Sequence, residues 1–130
     1  MGTILHTDVV VLGGGSAGIA AAVAAARKGL QVVLIERNAY PGGKATAAQV
    51  GTVCGLYKFN KNQNAEYLVK GFAREFAESL QDKSNSKPLH NADGLHYLPY
   101  NIQAFKNISL DLLNVHKVIS YFSSVLKNVQ

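Results

Sequence analysis

Three observations predict an α/β fold with a parallel sheet and flanking helices. The first is the β-branched run Val9-Val10-Val11-Leu12, which leads straight into Gly13-Gly14-Gly15-Ser16-Ala17-Gly18. The second is the stretch after it, rich in small residues, with Ala20, Ala21, Ala22, Ala24, Ala25 and Ala26. The third is a second apolar run, Val32-Val33-Leu34-Ile35, closed by the acid Glu36. Strand, glycine turn, helix and strand in that order make a Rossmann-like βαβ unit, whose glycine turn receives a dinucleotide.

Each part of the pattern has a physical task. Gly13 lets the chain leave the first strand through a turn that a side chain would resist. Gly15, without a Cβ, leaves room for a pyrophosphate over the positive end of the helix, where unpaired N–H groups converge with Ser16 and Ala17. Gly18 and the alanines keep the helix thin enough to lie close on the sheet. Arg27 and Lys28 followed by Gly29 place basic residues in the last turn and a stop after it, so the helix is expected to end near Lys28. Glu36, an acid at the end of a buried strand, is placed to accept hydrogen bonds from the hydroxyls of an adenosine ribose and would repel a ribose 2′-phosphate, which disfavours NADP. Glycines serving packing alone would leave Glu36 without a task.

The segment Glu36-Arg37-Asn38-Ala39-Tyr40-Pro41-Gly42-Gly43-Lys44-Ala45-Thr46 resembles the N-terminal part of FAD-dependent oxidoreductases with the glutathione-reductase type of FAD-binding domain. There the acid is followed by a basic residue and, after a short turn, by a Gly-Gly pair leading into small residues and a threonine; Arg37, Gly42, Gly43, Ala45 and Thr46 match. The continuation from Ala47 to Leu56 is similar to a subgroup called simply FAD-dependent oxidoreductase. The resemblance implies a three-layer FAD/NAD(P)-binding domain with FAD as cofactor. It places Gly13, Gly15, Ser16, Ala17 and Gly18 at the pyrophosphate and Glu36 with Arg37 at the adenosine. Gly42, Gly43, Lys44, Ala45 and Thr46 would run beneath the ribityl chain and flavin, and the backbone near Val125 would lie against the adenine.

At 130 residues the chain has room for one domain, whereas complete members of the resembled family are several times longer. The expectation is an incomplete domain: residues 1–46 as βαβ core, 57–114 as a helical insertion and 115–130 as a returning strand. Leu68, Phe72, Phe76 and Leu80 predict an amphipathic helix over 65–80 capped by Asn64, with Glu66 in its first turn. Residues 81–96 read as a polar surface loop with a turn at Asp93-Gly94. Asn101 caps a second helix from Ile102 to Leu113, with Phe105, Ile108, Leu112 and Leu113 on one side. From Val115 to Phe122 the β-branched and aromatic residues predict a strand.

With 48% hydrophobic and 16% charged residues and no long apolar run, the composition excludes a membrane span and suits a cytoplasmic protein. The excess of 13 Lys plus Arg over 8 Asp plus Glu is scattered, with no basic and aromatic stripe for nucleic acid. Cys54 stands alone, which excludes a dithiol pair within the chain and favours a packed thiol. His6, His90, His96 and His116 lack metal-ligand spacing, so no metal is expected; His90 and His96 are expected to face solvent. Asn107-Ile108-Ser109 fits a glycosylation sequon but falls inside the second helix.

The functional expectation is an FAD-dependent oxidoreductase seen as its N-terminal cofactor-binding portion or subunit, the flavin taking a hydride from a small-molecule substrate. No residue is assigned as catalytic. Two alternatives stay open: a non-catalytic nucleotide-binding or assembly subunit that completes its fold with a partner chain or a missing C-terminal part, and an NAD-binding module. A truncation that keeps the motifs without the function is a further option.

Overall fold

The computed structural model describes residue 2 and residues 4–129. In chain order the elements are β1 (Val9–Leu12), α1 (Ser16–Arg27), β2 (Val32–Ile35), α2 (Lys44–Ala47), β3 (Thr52–Cys54), α3 (Gly71–Ser84), β4 (Leu89–His90), β5 (His96–Pro99), α4 (Ile102–Val115) and β6 (Ile119–Tyr121). They fall into two compact units, one formed by the residues up to Gly43 with those from Ser109 onward, the other by Lys44–Ile108.

The first unit holds a parallel sheet in the order β1-β2-β6. Val9 pairs with Val32 and Leu12 with Ile35, and on the other side Val33 pairs with Ile119 and Ile35 with Tyr121. Because side chains alternate along a strand, Val9, Val11, Val32, Leu34 and Ser120 share one face. On it lies α1, whose Ile19, Ala22 and Val23 are buried and whose Gly18 approaches Val11. The opposite face carries Val10, Leu12, Val33, Ile35, Ile119 and Tyr121; its outer strands are exposed there, Val10 by 51% and Leu12 by 55%, while Val33 on the central strand is buried. Among the described residues, β1 has no neighbouring strand on its outer side.

The second unit is built on a small antiparallel sheet, β3-β5-β4. Its core includes Leu80 from α3, Leu98 from β5 and Phe105 from α4, with the Phe76 and Tyr100 rings against Phe105. Asn91 turns the β4–β5 hairpin: its Oδ1 accepts the N–H groups of Asp93 and Leu95, and Gly94 follows at φ 100°. The turn expected at Asp93-Gly94 is therefore present.

Three expectations are corrected. The helix expected over 65–80 begins at Gly71 and runs to Ser84. Residues 66–68 are drawn instead into an antiparallel pairing with 56–58: the Lys58 N–H donates to the Glu66 carbonyl, the Leu68 N–H to the Leu56 carbonyl, and Tyr57 bridges Tyr67. Glu66 pairs with Lys58, Leu68 is 61% exposed, and Asn64 caps nothing. Second, the polar stretch 81–96 contains the last turn of α3, all of β4 and the start of β5. It also buries His96, whose Nε2 lies 3.1 Å from the Asn60 carbonyl oxygen. Third, the strand expected from Val115 starts only at Ile119. Lys117 adopts φ 57°, the Lys117 N–H donates to the Asn114 carbonyl and the Val118 N–H to the Leu113 carbonyl, a left-handed C-cap that carries α4 two residues past Leu113. Gly29 and Asn85 close α1 and α3 in the same way. The cap expected at Asn101 is present, its Oδ1 accepting the N–H groups of Gln103 and Ala104.

Candidate functional site

Within the first unit, the carboxyl ends of the three parallel strands gather the residues that the glycine pattern singles out. Gly13 leaves β1 at φ 99°, where a side chain would be strained, and its N–H donates to the Ile35 carbonyl at 2.8 Å. Gly15 precedes the first turn of α1 with extended backbone and offers no capping side chain; that turn, Ser16, Ala17 and Gly18, contains no acid. The first N–H groups of a helix have no intrahelical partner, and here they border free space: a Cβ built on Gly15 would meet nothing within 4 Å. At Gly18 the reverse holds, since a Cβ would stand 1.8 Å from the Gly13 carbonyl oxygen. The two glycines thus do different work, Gly15 leaving a vacancy and Gly18 allowing a contact.

The second glycine pair comes to the first. The Gly42 N–H donates to the Gly14 carbonyl at 2.7 Å, Gly42 bridges Gly15 in parallel fashion, and a Cβ on Gly43, at φ 54°, would lie 3.0 Å from the Gly15 Cα. Two segments separated by a helix and a strand are held in backbone contact, and it is at Gly43 that a side chain would press on that contact.

Glu36 ends β2 and is 5% exposed. Its Oε2 accepts the Gly14 N–H at 2.6 Å and its Oε1 the Asn38 N–H at 2.7 Å. Arg37 beside it is exposed. After β6 the chain runs along the same edge, the Ser124 N–H donating to the Glu36 carbonyl and the Ser123 N–H to the Asn38 carbonyl. Val125, the next residue, is 70% exposed. Lys44, Ala45 and Thr46 belong to the second unit, where they form α2; Thr46 is buried, and the Tyr100 hydroxyl donates to the Ala45 carbonyl at 2.8 Å. Burial raises the Tyr100 phenol above its ordinary value, keeping it a donor.

Sequence reasoning does not single out Asn38, Ser123, Ser124 or Tyr100. Gly14 at least stands inside the triple glycine, whereas nothing local marks Ser123, which takes φ 51° without being glycine. Cys54, expected as a packed thiol, lies exposed instead, at the end of the short strand β3. Among the described residues no group of His, Cys, Asp or Glu is arranged to hold a metal ion.

An open helix end, a glycine crest without side chains and a buried carboxylate at the neighbouring strand end together define a Rossmann-like dinucleotide-binding unit. The FAD dependent oxidoreductase family model matches residues 8–130; the chain belongs to that family, whose cofactor is FAD. Among curated relatives, it is 56% identical over 42 residues to hydroxyneurosporene desaturase of Rhodobacter capsulatus, covering 32% of this chain and 8% of that protein. It is 45% identical over 84 residues to sarcosine oxidase subunit alpha of Rhizobium meliloti, covering 65% of this chain and 7% of the relative. The chain thus spans less than a tenth of either relative. Among solved structures, THI4 of Thermovibrio ammonificans superposes with a TM-score of 0.54 at 21% identity, over 90% of this chain and 38% of that one, a likeness of fold.

Proposed function

We propose that this chain supplies the cofactor-binding portion of an oxidoreductase that takes a hydride from a small-molecule substrate. The observation that carries the reading is the open space beside Gly15, a residue that precedes the first turn of α1, bridges Gly42 and follows the Gly14 whose N–H the Glu36 carboxylate accepts. It fits a pyrophosphate: backbone N–H groups and the helix dipole favour an anion there, by about 0.3–1 kcal/mol for an exposed one. Gly13, Gly15, Ser16, Ala17 and Gly18 would hold the pyrophosphate, and Glu36 and Arg37 the adenosine. Each Glu36 oxygen accepts one backbone N–H and keeps acceptor capacity for a ribose hydroxyl. By the family resemblance, Gly42, Gly43, Lys44, Ala45 and Thr46 face the ribityl and flavin portion and the Val125 backbone the adenine. When bound, FAD supplies the hydride acceptor; this chain's residues bind and orient it.

The apolar residues exposed on the outer strands of the parallel sheet, Val10, Leu12, Ile119 and Tyr121, support a further part of the reading. Parallel sheets are ordinarily covered on both faces, so further polypeptide, from a longer form of this chain or from a partner chain, covers Val10, Leu12, Ile119 and Tyr121 and pairs with the free edge of β1. In that arrangement residues 1–46 supply the βαβ core, 57–114 an insertion, and the segment from 115 onward the returning strand β6, with the second unit an accessory of the same flavoprotein. No helix among the described residues is long and apolar enough to cross a membrane, which agrees with a cytoplasmic site of action.

The test is the visible absorbance spectrum of the purified chain, with its native mass on the same sample. A flavin spectrum is the expected result, either from the chain alone or with a co-purifying partner that the mass reveals. A protein that stays colourless when FAD is added speaks for the non-catalytic assembly reading.

A further inference from the structure

Glu36 touches more of the fold than a ribose contact requires. Its carboxylate receives Gly14 N–H from the loop after β1 and Asn38 N–H from the chain after β2, its own N–H donates to the Tyr121 carbonyl at the end of β6, and its carbonyl accepts the Ser124 N–H beyond β6. Three chain segments meet at this one buried residue. We infer that Glu36 is a positioning residue, whose carboxylate sets the conformation of the glycine loop before any cofactor arrives.

The chemistry of the contact requires a carboxylate. Two N–H donors converge on it from different segments, at 2.6 and 2.7 Å, and an ionised carboxylate is an acceptor at both oxygens. The isosteric amide of a glutamine has one acceptor oxygen; its NH2 group would face a second N–H, and one donor would be left without a partner in a buried place. Gly14 is matched to the same contact, because a Cβ there would lie 3.2 Å from Oε2 and 3.3 Å from Cβ and Cγ of Glu36. The middle glycine of the triplet thus makes room for the carboxylate, as Gly15 leaves room for a ligand and Gly18 for the Gly13 carbonyl.

The consequence for anion binding has a sign opposite to that of simple electrostatics, and this part of the inference rests on the dinucleotide reading above. Removing a negative charge beside an anion site strengthens anion binding by Coulomb's law. Removing the latch on the loop weakens it, because the N–H groups are no longer held in place. Inorganic pyrophosphate, which has no ribose to contact Glu36, separates the two effects.

The experiment compares wild type with Glu36→Gln in the cofactor-free full chain, by site-resolved amide hydrogen exchange and by calorimetric titration with inorganic pyrophosphate. Exchange at Gly14 or at Asn38, whichever amide faces the NH2 group, is expected to rise about tenfold or more, the loss of one buried hydrogen bond, with the Val23 amide in α1 unchanged; the pyrophosphate dissociation constant rises as well. Gly14→Ala, which displaces the carboxylate but keeps its charge, weakens pyrophosphate in the same direction and serves where Glu36→Gln loses its fold. Unchanged exchange at Gly14 and Asn38, or tighter pyrophosphate binding in Glu36→Gln, overturns the inference. Faster exchange in a protein whose wild type binds no pyrophosphate upholds the latch and overturns the dinucleotide reading instead.

Discussion

The N-termini of α1 and α4 meet the same requirement in different ways. Each helix begins with N–H groups that lack intrahelical partners. At α4 the Asn101 side chain takes up two of them, from Gln103 and Ala104. At α1 no side chain does so, the preceding residue is a glycine, and the space in front is free. α3 also begins without a side-chain cap, so an open end alone does not mark a site. What distinguishes α1 is the crest in front of it, where the glycines of two segments touch and a buried carboxylate fixes one of them. Stability is completed within the chain at α4, whereas at α1 the last partners are left for a ligand.

Substitutions sharpen this contrast. The largest expected effect is at Gly18, where an alanine Cβ would press on the Gly13 carbonyl oxygen; Gly18→Ala should cost about 3 kcal/mol, the upper end of overpacking penalties, read as a loss of melting temperature by circular dichroism. Gly15→Val is the counterpart: with nothing nearby in the protein and extended backbone, it should cost only about 1 kcal/mol, the scale of a poorer helix N-cap, while abolishing measurable FAD binding in a titration. Equal stability losses for the two would erase the distinction. Glu36→Ala removes the ribose partner and the latch together and should weaken FAD by at least about 1.5–3 kcal/mol, the scale of hydrogen bonds to a charged group; undiminished affinity would contradict both roles. At α4, Asn101→Ala should cost about 1 kcal/mol in chemical denaturation with no change intrinsic to the glycine crest.

The smallest effect concerns pH. Tyr57 and Tyr100 in the second unit have phenols raised above the ordinary value of 10.0, chiefly by burial, with Tyr67 adding to the effect at Tyr57. The folded state keeps these protons where the unfolded chain releases them. Their contribution is therefore whole below about pH 10 and is lost as pH rises beyond it. The melting temperature should fall above that point, and less steeply in Tyr57→Phe. The Tyr57 and Tyr67 hydroxyl oxygens are buried without hydrogen-bond partners among the described residues, so the same variant should be neutral or slightly stabilising near pH 7.

The first unit was readable because its signals are local. Val9 to Leu12 and Val32 to Ile35 are unbroken apolar runs of strand length, the alanines admit little but a helix, and Gly13 and Gly18 occupy places where backbone geometry tolerates no side chain. The second unit yielded its hairpin turn, and α4, which begins there, was legible because spacing and cap agree. The unit's strands escaped notice although β5 is no shorter than β1 and β2: Thr52-Val53-Cys54, Leu89-His90 and His96-Tyr97-Leu98-Pro99 mix polar with apolar residues and form no unbroken apolar run. The true start of α3 was hidden because Leu68 continues the helical spacing of Phe72 and Phe76, although its backbone is committed to Leu56. That choice is made by a partner ten or more positions away.

By itself the sequence determined the βαβ core, the glycine turn, the acid at the strand end and, through the resemblance, the family and its cofactor, since each depends on residues adjacent in the chain. The tertiary structure decided that Gly42-Gly43 folds back on Gly14-Gly15, that Glu36 joins three segments and that β6 lies beside β2. These are pairings across long stretches of chain. They form only when the whole unit closes, because the hydrogen bonds and packing gained there must outweigh the entropy of bringing distant segments together.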